Sequence, residues 1–283
     1  MKALKPILKI LVSILILYFV YRKIDVDVLL ATLKTVKIAW IIVAFVLFLL
    51  SQYVSSLRLQ YFWRDVNVDI SNSYNWKLYL IGMYYNLLLP GGIGGDGYKV
   101  MLIDNALKVG KGKLVKALIF DRLSGLLALG LWLCLLLGLF CYPIAEWTQF
   151  IVPLALLGFL ALIISYFLMK KVFSSHFSSY WPSLGLSLLI QGLQLAVCWS
   201  ILSSFSAYEH ILAYLALFLV SSIAAVIPIT FGGAGARELT FLTGAQYFPV
   251  EVSIAISLSV IFYLITVLAS LLGMAYSFKH NIE

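Results

Sequence analysis

The chain has 283 residues, 63% of them hydrophobic and 11% charged, with a mean hydropathy of +1.03 and a net charge of +8. Soluble domains carry about 25% charged residues, so this composition predicts an integral membrane protein, and connections of about twenty residues at most leave no room for a hidden soluble catalytic domain. The positive charge signals membrane topology first and an anionic lipid or substrate second; without a dense Arg/Lys stripe interleaved with aromatics, nucleic acid is excluded as a partner.

Lys2, Lys5 and Lys9 accompany an apolar run over residues 7–21. No small-x-small cleavage site precedes Tyr21-Arg22-Lys23, so the run reads as an uncleaved first span with its N-terminus in the cytoplasm. A polar connection of both signs follows, then a second span over residues 38–57, opened by Trp40 and closed by Arg58, Trp63 and Arg64. Segments 76–89 and 97–107 are each short for a span. Residues 119–142, 150–169, 183–204 and 252–278 read as ordinary spans, and 214–227 with 238–247 form a second pair of short segments. Cys134, Cys141 and Cys198 lie in or at the ends of apolar runs and read as small buried hydrophobes. His176, His210 and His280 offer neither metal nor triad spacing, so no metal and no cofactor is expected.

Between the first two short segments lies Pro90-Gly91-Gly92-Ile93-Gly94-Gly95-Asp96-Gly97-Tyr98-Lys99. Proline stops the preceding helix, the glycines open backbone conformations closed to other residues, and Asp96 has the chemistry of an N-cap for residues 97–107. Ile227-Pro228-Ile229-Thr230-Phe231-Gly232-Gly233-Ala234-Gly235-Ala236-Arg237 repeats the pattern P-x-x-x-G-G-x-G-x-[KR] at an offset of 138 residues, about half the chain, as an internal duplication gives. Each break is either a broken span or a re-entrant hairpin. With re-entrant hairpins, 15 of the 20 bases fall on the cytoplasmic side; with full spans only 7 do, so the positive-inside rule favours hairpins. Three spans and one hairpin per half make an odd number of crossings, which inverts the second half relative to the first. Inverted repeats with broken helices near the midplane are a recurring plan of secondary transporters.

At each break a helix N-terminus begins, whose N–H groups and positive dipole end favour an anion such as phosphate. Lys99 and Arg237 lie about one turn in and add a cation. The competing account is that the glycines only allow close helix packing. Asp96 and Glu238 are candidates to neutralise the neighbouring base, cap a helix or carry a proton. Asp121-Arg122 is a candidate functional pair or a structural pair at headgroup level, with Arg122 placed to face the first hairpin. Gln191 and Gln194, spaced i,i+3 on the face of Ser187, read first as glue between helices. Asn86, Tyr84, Tyr85, Ser221 and Ser222 precede the breaks, where they satisfy freed backbone groups or bind a headgroup. No nucleophile–base constellation appears, which favours a transporter over an enzyme.

The two breaks, together with Asp121-Arg122-Leu123-Ser124-Gly125 and Arg237-Glu238, resemble the transmembrane region of the lysylphosphatidylglycerol synthase/flippase family over nearly the whole chain. The resemblance implies movement of an aminoacylated phospholipid between leaflets; synthesis of lysyl-lipid, which belongs to a separate soluble domain in that family, is not implied. The expectation is an all-α integral protein of the inner (cytoplasmic) membrane, a single polytopic domain of two inverted repeats, residues 1–142 and 143–283, with eight hydrophobic segments in all. Its function is expected to be lipid translocation. The phosphate of an anionic or zwitterionic lipid docks between the two hairpin tips near the midplane. The candidate contacts are Gly94, Gly95, Asp96, Gly97, Lys99, Arg122, Gly232, Gly233, Gly235, Arg237 and Glu238, with Asn86, Asp121, Gln191 and Gln194 as secondary positions. The alternatives are a membrane enzyme, or an accessory subunit that partners a soluble or membrane-bound synthase, in lipid or polyprenyl-phosphate-linked glycan modification.

Overall fold

The computed structural model describes residues 31–88, 94–141, 145–172, 179–226 and 235–277. The expected first span, Pro90, Pro228, Gly232 and Gly233 lie outside them. Among the described residues the chain is all α-helical, with no strand. The helices are α1 (Ile38–Asp65), α2 (Asn72–Leu88), α3 (Gly94–Leu107), α4 (Lys111–Cys141), α5 (Ile151–Val172), α6 (Tyr180–Ser204), α7 (Ile211–Val226), α8 (Ala236–Gly244) and α9 (Val252–Ser277), with a 3-10 turn (Ala145–Phe150) leading into α5. Among the described residues five stretches are long and apolar enough to cross a membrane: Ile38–Asp65, Lys111–Cys141, Thr148–Val172, Tyr180–Ser204 and Val252–Tyr276. The protein is a multi-pass, all-α membrane protein.

Local sequence explains the helix ends. Ser71 Oγ accepts the Tyr74 N–H at 3.2 Å, a serine N-cap that starts α2. Asn67 closes α1 in the left-handed conformation (φ 61°), where asparagine is tolerated; Asn67 N–H donates to the Arg64 carbonyl and Val68 N–H to the Trp63 carbonyl. Val68 is fully buried, the apolar contact that accompanies such an end. Gly110 (φ 101°) ends the turn between α3 and α4, its N–H held by Asp104 Oδ1 at 2.8 Å. Helix α4 therefore begins at Lys111, eight residues before the expected start of its span at residue 119. Asp121 and Arg122 consequently lie nearly three turns inside a helix rather than at its start.

The described residues form two compact units. One draws on the described residues within 31–49, 80–95 and 194–277; the other on those within 50–79 and 96–193. In the second unit a core of Leu59, Phe62, Trp63, Leu78, Ile103, Leu114, Leu118 and Tyr180 gathers the end of α1 and the starts of α2, α4 and α6 around α3. Trp63 Nε1 donates to Asn75 Oδ1 at 3.1 Å, and Asn75 Nδ2 to the Ser56 carbonyl at 2.6 Å, so the indole and the amide buried in this core are paired. Helix α5 packs along α4 and exposes Leu156, Phe159, Leu160 and Phe167, the surface expected of a helix whose solvent is lipid. In the first unit Phe262 of α9 meets Phe218 of α7 edge-on at 5.0 Å and Phe48 of α1 at 5.7 Å, and Trp40 meets Trp199 at 5.5 Å.

Candidate anion-binding site

Gly94 and Gly95, before the expected cap, are already helical, so Asp96 lies inside the helix rather than at its N-cap. Its carboxylate faces two cations. Asp96 Oδ1 lies 3.2 Å from Lys99 Nζ, one turn on, and Oδ2 accepts Arg122 Nε at 2.7 Å and lies 2.6 Å from Nη2. Lys99 is buried, and its ammonium lies 4.5 Å from the centre of the Tyr79 ring. The Arg122 side chain is 41% exposed, so one side of the cluster is open. The structure thus brings together Asp96, Lys99 and Arg122 from two helices, with Arg122 turned toward the first break.

The neighbouring residue on α4 points elsewhere. Asp121 Oδ1 accepts Arg58 Nε at 2.8 Å, and the two side chains are 10% and 8% exposed. Arg58 Nη1 also donates to Ser187 Oγ at 3.1 Å; Ser187 donates to Ser124 Oγ at 3.2 Å, and Ser124 to the Asp121 carbonyl at 2.9 Å. A Cβ at Gly125 would sit 3.0 Å from Arg58 Nη1, so glycine there makes room for the guanidinium. Every polar position of Asp121-Arg122-Leu123-Ser124-Gly125 is engaged, while Leu123 faces outward. Tyr79 lies in the same place, its ring centre 4.5 Å from the Lys99 ammonium. Three bases and two acids therefore share one neighbourhood in this unit, leaving a net charge of +1.

Glycine has different work at different positions. A Cβ at Gly95 would fall 1.9 Å from the Gly82 carbonyl oxygen, so Gly95 allows α2 and α3 to touch backbone to backbone. The Gly95 N–H donates to Asn86 Oδ1 at 2.8 Å. Asn86 thus satisfies a helix-terminal N–H that was expected to face a ligand, the first of the two roles considered for it. Gly97 is exposed, and a Cβ there would meet nothing within 4 Å.

At the second break Gly235 (φ 87°) precedes α8 in a conformation other residues rarely adopt. The Glu238 carboxylate accepts the Gly235 N–H at 2.7 Å and the Ser259 hydroxyl at 2.8 Å and is buried. It caps its own helix and ties α8 to α9. Arg237 is half-buried, its guanidinium carbon 4.5 Å from the Phe262 ring centre and 5.7 Å from that of Phe218. Among the described residues no carboxylate lies within ion-pair distance of it.

Gln191 is half-buried and takes no part in these bonds, and Gln194 is buried on the same helix. Arg58, Tyr79 and Ser124 join the cluster without having been read as candidates. The signal for Arg58 was Ser51-Ser55-Arg58, a polar stripe at i, i+4 and i+7 along an otherwise apolar helix. No group of His, Cys, Asp and Glu among the described residues is placed to hold a metal ion.

No curated protein matches the chain. Residues 7–273 match the family described as the lysylphosphatidylglycerol synthase TM region, and the chain belongs to that family.

Proposed function

We propose that this protein is a lipid translocase that carries a phosphate-containing headgroup between leaflets, the phosphate docking at the Lys99–Arg122 pair while the tails stay in the bilayer. The observation that carries this reading is the charge of the cluster. Arg58, Lys99 and Arg122 exceed Asp96 and Asp121 by one, which suits a phosphodiester monoanion, and the excess is accessible on the Arg122 side. Arginine binds phosphate through paired N–H···O bonds, and lysine adds a point charge. Ionisable groups inside a membrane protein mark substrate pathways by default. Family membership supports lipid transport or modification as the setting.

The route follows from the repeat. Pro90 and Pro228, which interrupt the two arms, stand 138 residues apart in sequence. Two re-entrant hairpins of opposite orientation, one per half, allow access to alternate as one repeat rocks against the other.

The test is reconstitution in vesicles with fluorescent phosphatidylglycerol, followed by dithionite quenching of the outer leaflet. Lys99→Ala and Arg122→Ala should each slow the exchange of label between leaflets by about tenfold or more, since each removes a charge-assisted contact of roughly 1.5–3 kcal/mol. Wild-type rates in both variants would exclude docking at this pair.

A further inference from the structure

The Asp96 carboxylate occupies the place that the docked phosphate needs. Its two oxygens are divided between the two cations, Oδ1 at 3.2 Å from Lys99 and Oδ2 at 2.7 Å from Arg122 Nε. A phosphodiester offers its two unesterified oxygens in a comparable fork, and guanidinium binds either group in the same manner. We propose that Asp96 is an internal stand-in for the lipid: it pairs with Lys99 and Arg122 while the site is empty, and the incoming phosphate displaces it. This rests on the reading that phosphate docks at this pair.

Three observations carry the inference. Lys99 is buried, and a buried cation without a counterion is strongly unfavourable, so a site that empties in every cycle needs an anion of its own. The two cations differ in access, with side-chain exposures of 6% for Lys99 and 41% for Arg122, so a phosphate entering beside Arg122 reaches the pair without first opening Lys99 to its surroundings. Gly97, next in sequence, is exposed, and a Cβ there would meet nothing within 4 Å, so the helix beside Asp96 is open to its surroundings. The neighbouring acid in this unit lacks these features: Asp121 is locked to Arg58 within a serine network.

The consequence is kinetic. A carrier must release what it binds, and a carboxylate that recaptures both cations weakens binding and speeds release. Binding to two cations with no competitor would hold the lipid in place.

The experiment is calorimetric binding of dioctanoyl-phosphatidylglycerol, and separately of inorganic phosphate, to the purified full chain in detergent. Asp96→Asn should bind the short-chain lipid about tenfold more tightly than wild type, because a competing charge-assisted pair is gone, whereas Lys99→Gln and Arg122→Gln should lose binding. Tightening confined to the lipid identifies the headgroup as occupant; tightening shared with inorganic phosphate identifies the phosphate group itself, and either supports the stand-in. Equal or weaker lipid binding by folded Asp96→Asn, with binding still lost in Lys99→Gln, overturns the stand-in and leaves the docking site standing. No binding by wild type, or binding indifferent to Lys99→Gln and Arg122→Gln, removes the docking site and the stand-in together. Infrared difference spectra of wild-type protein labelled with 13C-aspartate need no variant. Adding the short-chain lipid should shift a carboxylate stretching band as the ion pair opens, and an unchanged band overturns the proposal.

Discussion

Replacing Arg58 by methionine or Asp121 by leucine should destabilise the protein severely, while replacing both should not. The pair lies at 2.8 Å with side chains 8% and 10% exposed, so neither charge can turn to water when its partner is removed. Stranding one charge of such a pair costs about 3–5 kcal/mol, whereas apolar replacement of both is often close to neutral. Two further bonds raise the cost of losing Asp121: Arg58 would keep only Ser187, and the Ser187–Ser124 link would lose the ion pair it braces. For a chain of this size 1 kcal/mol corresponds to roughly 2–4 °C, so each single variant should melt on the order of 10 °C below wild type, with the double variant within about 5 °C of it. Thermal unfolding in detergent, followed by tryptophan fluorescence, reads all four proteins. The double-mutant cycle then yields the coupling directly. Single variants that melt with the wild type, or a double variant whose loss equals the sum of the two, would refute the buried pair.

Two further outcomes follow from geometry. Gly95→Ala places a methyl 1.9 Å from the Gly82 carbonyl oxygen, where only backbone movement relieves the overlap, and should cost about 3 kcal/mol or more of stability; Gly97→Ala meets nothing within 4 Å and should leave the melting temperature unchanged or raise it by the helix preference of alanine, about 1 kcal/mol. Equal melting of the two would contradict the close crossing. For the inverted repeat, single cysteines at Lys111 and Phe248 in a cysteine-free background should react with a membrane-impermeant maleimide from the cytoplasmic and outer faces respectively, and labelling of both from one face would defeat the inversion.

The apolar runs were legible as helices because hydropathy and helix length respond to the same bilayer thickness. The ends were less legible. Residues Lys111 to Lys116 are basic and read as a connection, yet they extend α4 below its apolar part, since a helix ends at its cap and not where its hydrophobicity does. That extension moved Asp121 and Arg122 from a helix start to its interior. Pairing of Asp96 with Lys99 was one of three roles open to the acid, and the i,i+3 spacing on a helix is what selects it. The Arg58–Asp121 bond, spanning 63 residues of sequence, depends on where two helices cross, which no local pattern encodes. Counted only as a cytoplasmic base, Arg58 served the topology argument and was lost to the site.

The two breaks share a motif and yet differ in electrostatics, and the difference lies in where the acid stands. Asp96 precedes its base by three residues, which puts both on one face of the helix, and the two pair. Glu238 follows its base by one residue, about 100° around the helix, too far round to face it. It instead lies three residues after Gly235, whose N–H it takes, and its remaining oxygen takes Ser259. The carboxylate at the first break is thus held by cations that a phosphate can claim. At the second it is held by a backbone N–H and a hydroxyl, neutral donors in place of cations. Arg237 accordingly rests on two aromatic rings rather than on an acid. Moving the acid by this spacing leaves the duplicated Gly-Gly-x-Gly-x-[KR] intact while making one copy an exchangeable ion pair and the other a fixed helix cap. Competition for the base is therefore confined to the first break, where Arg122 supplies a second cation from another helix.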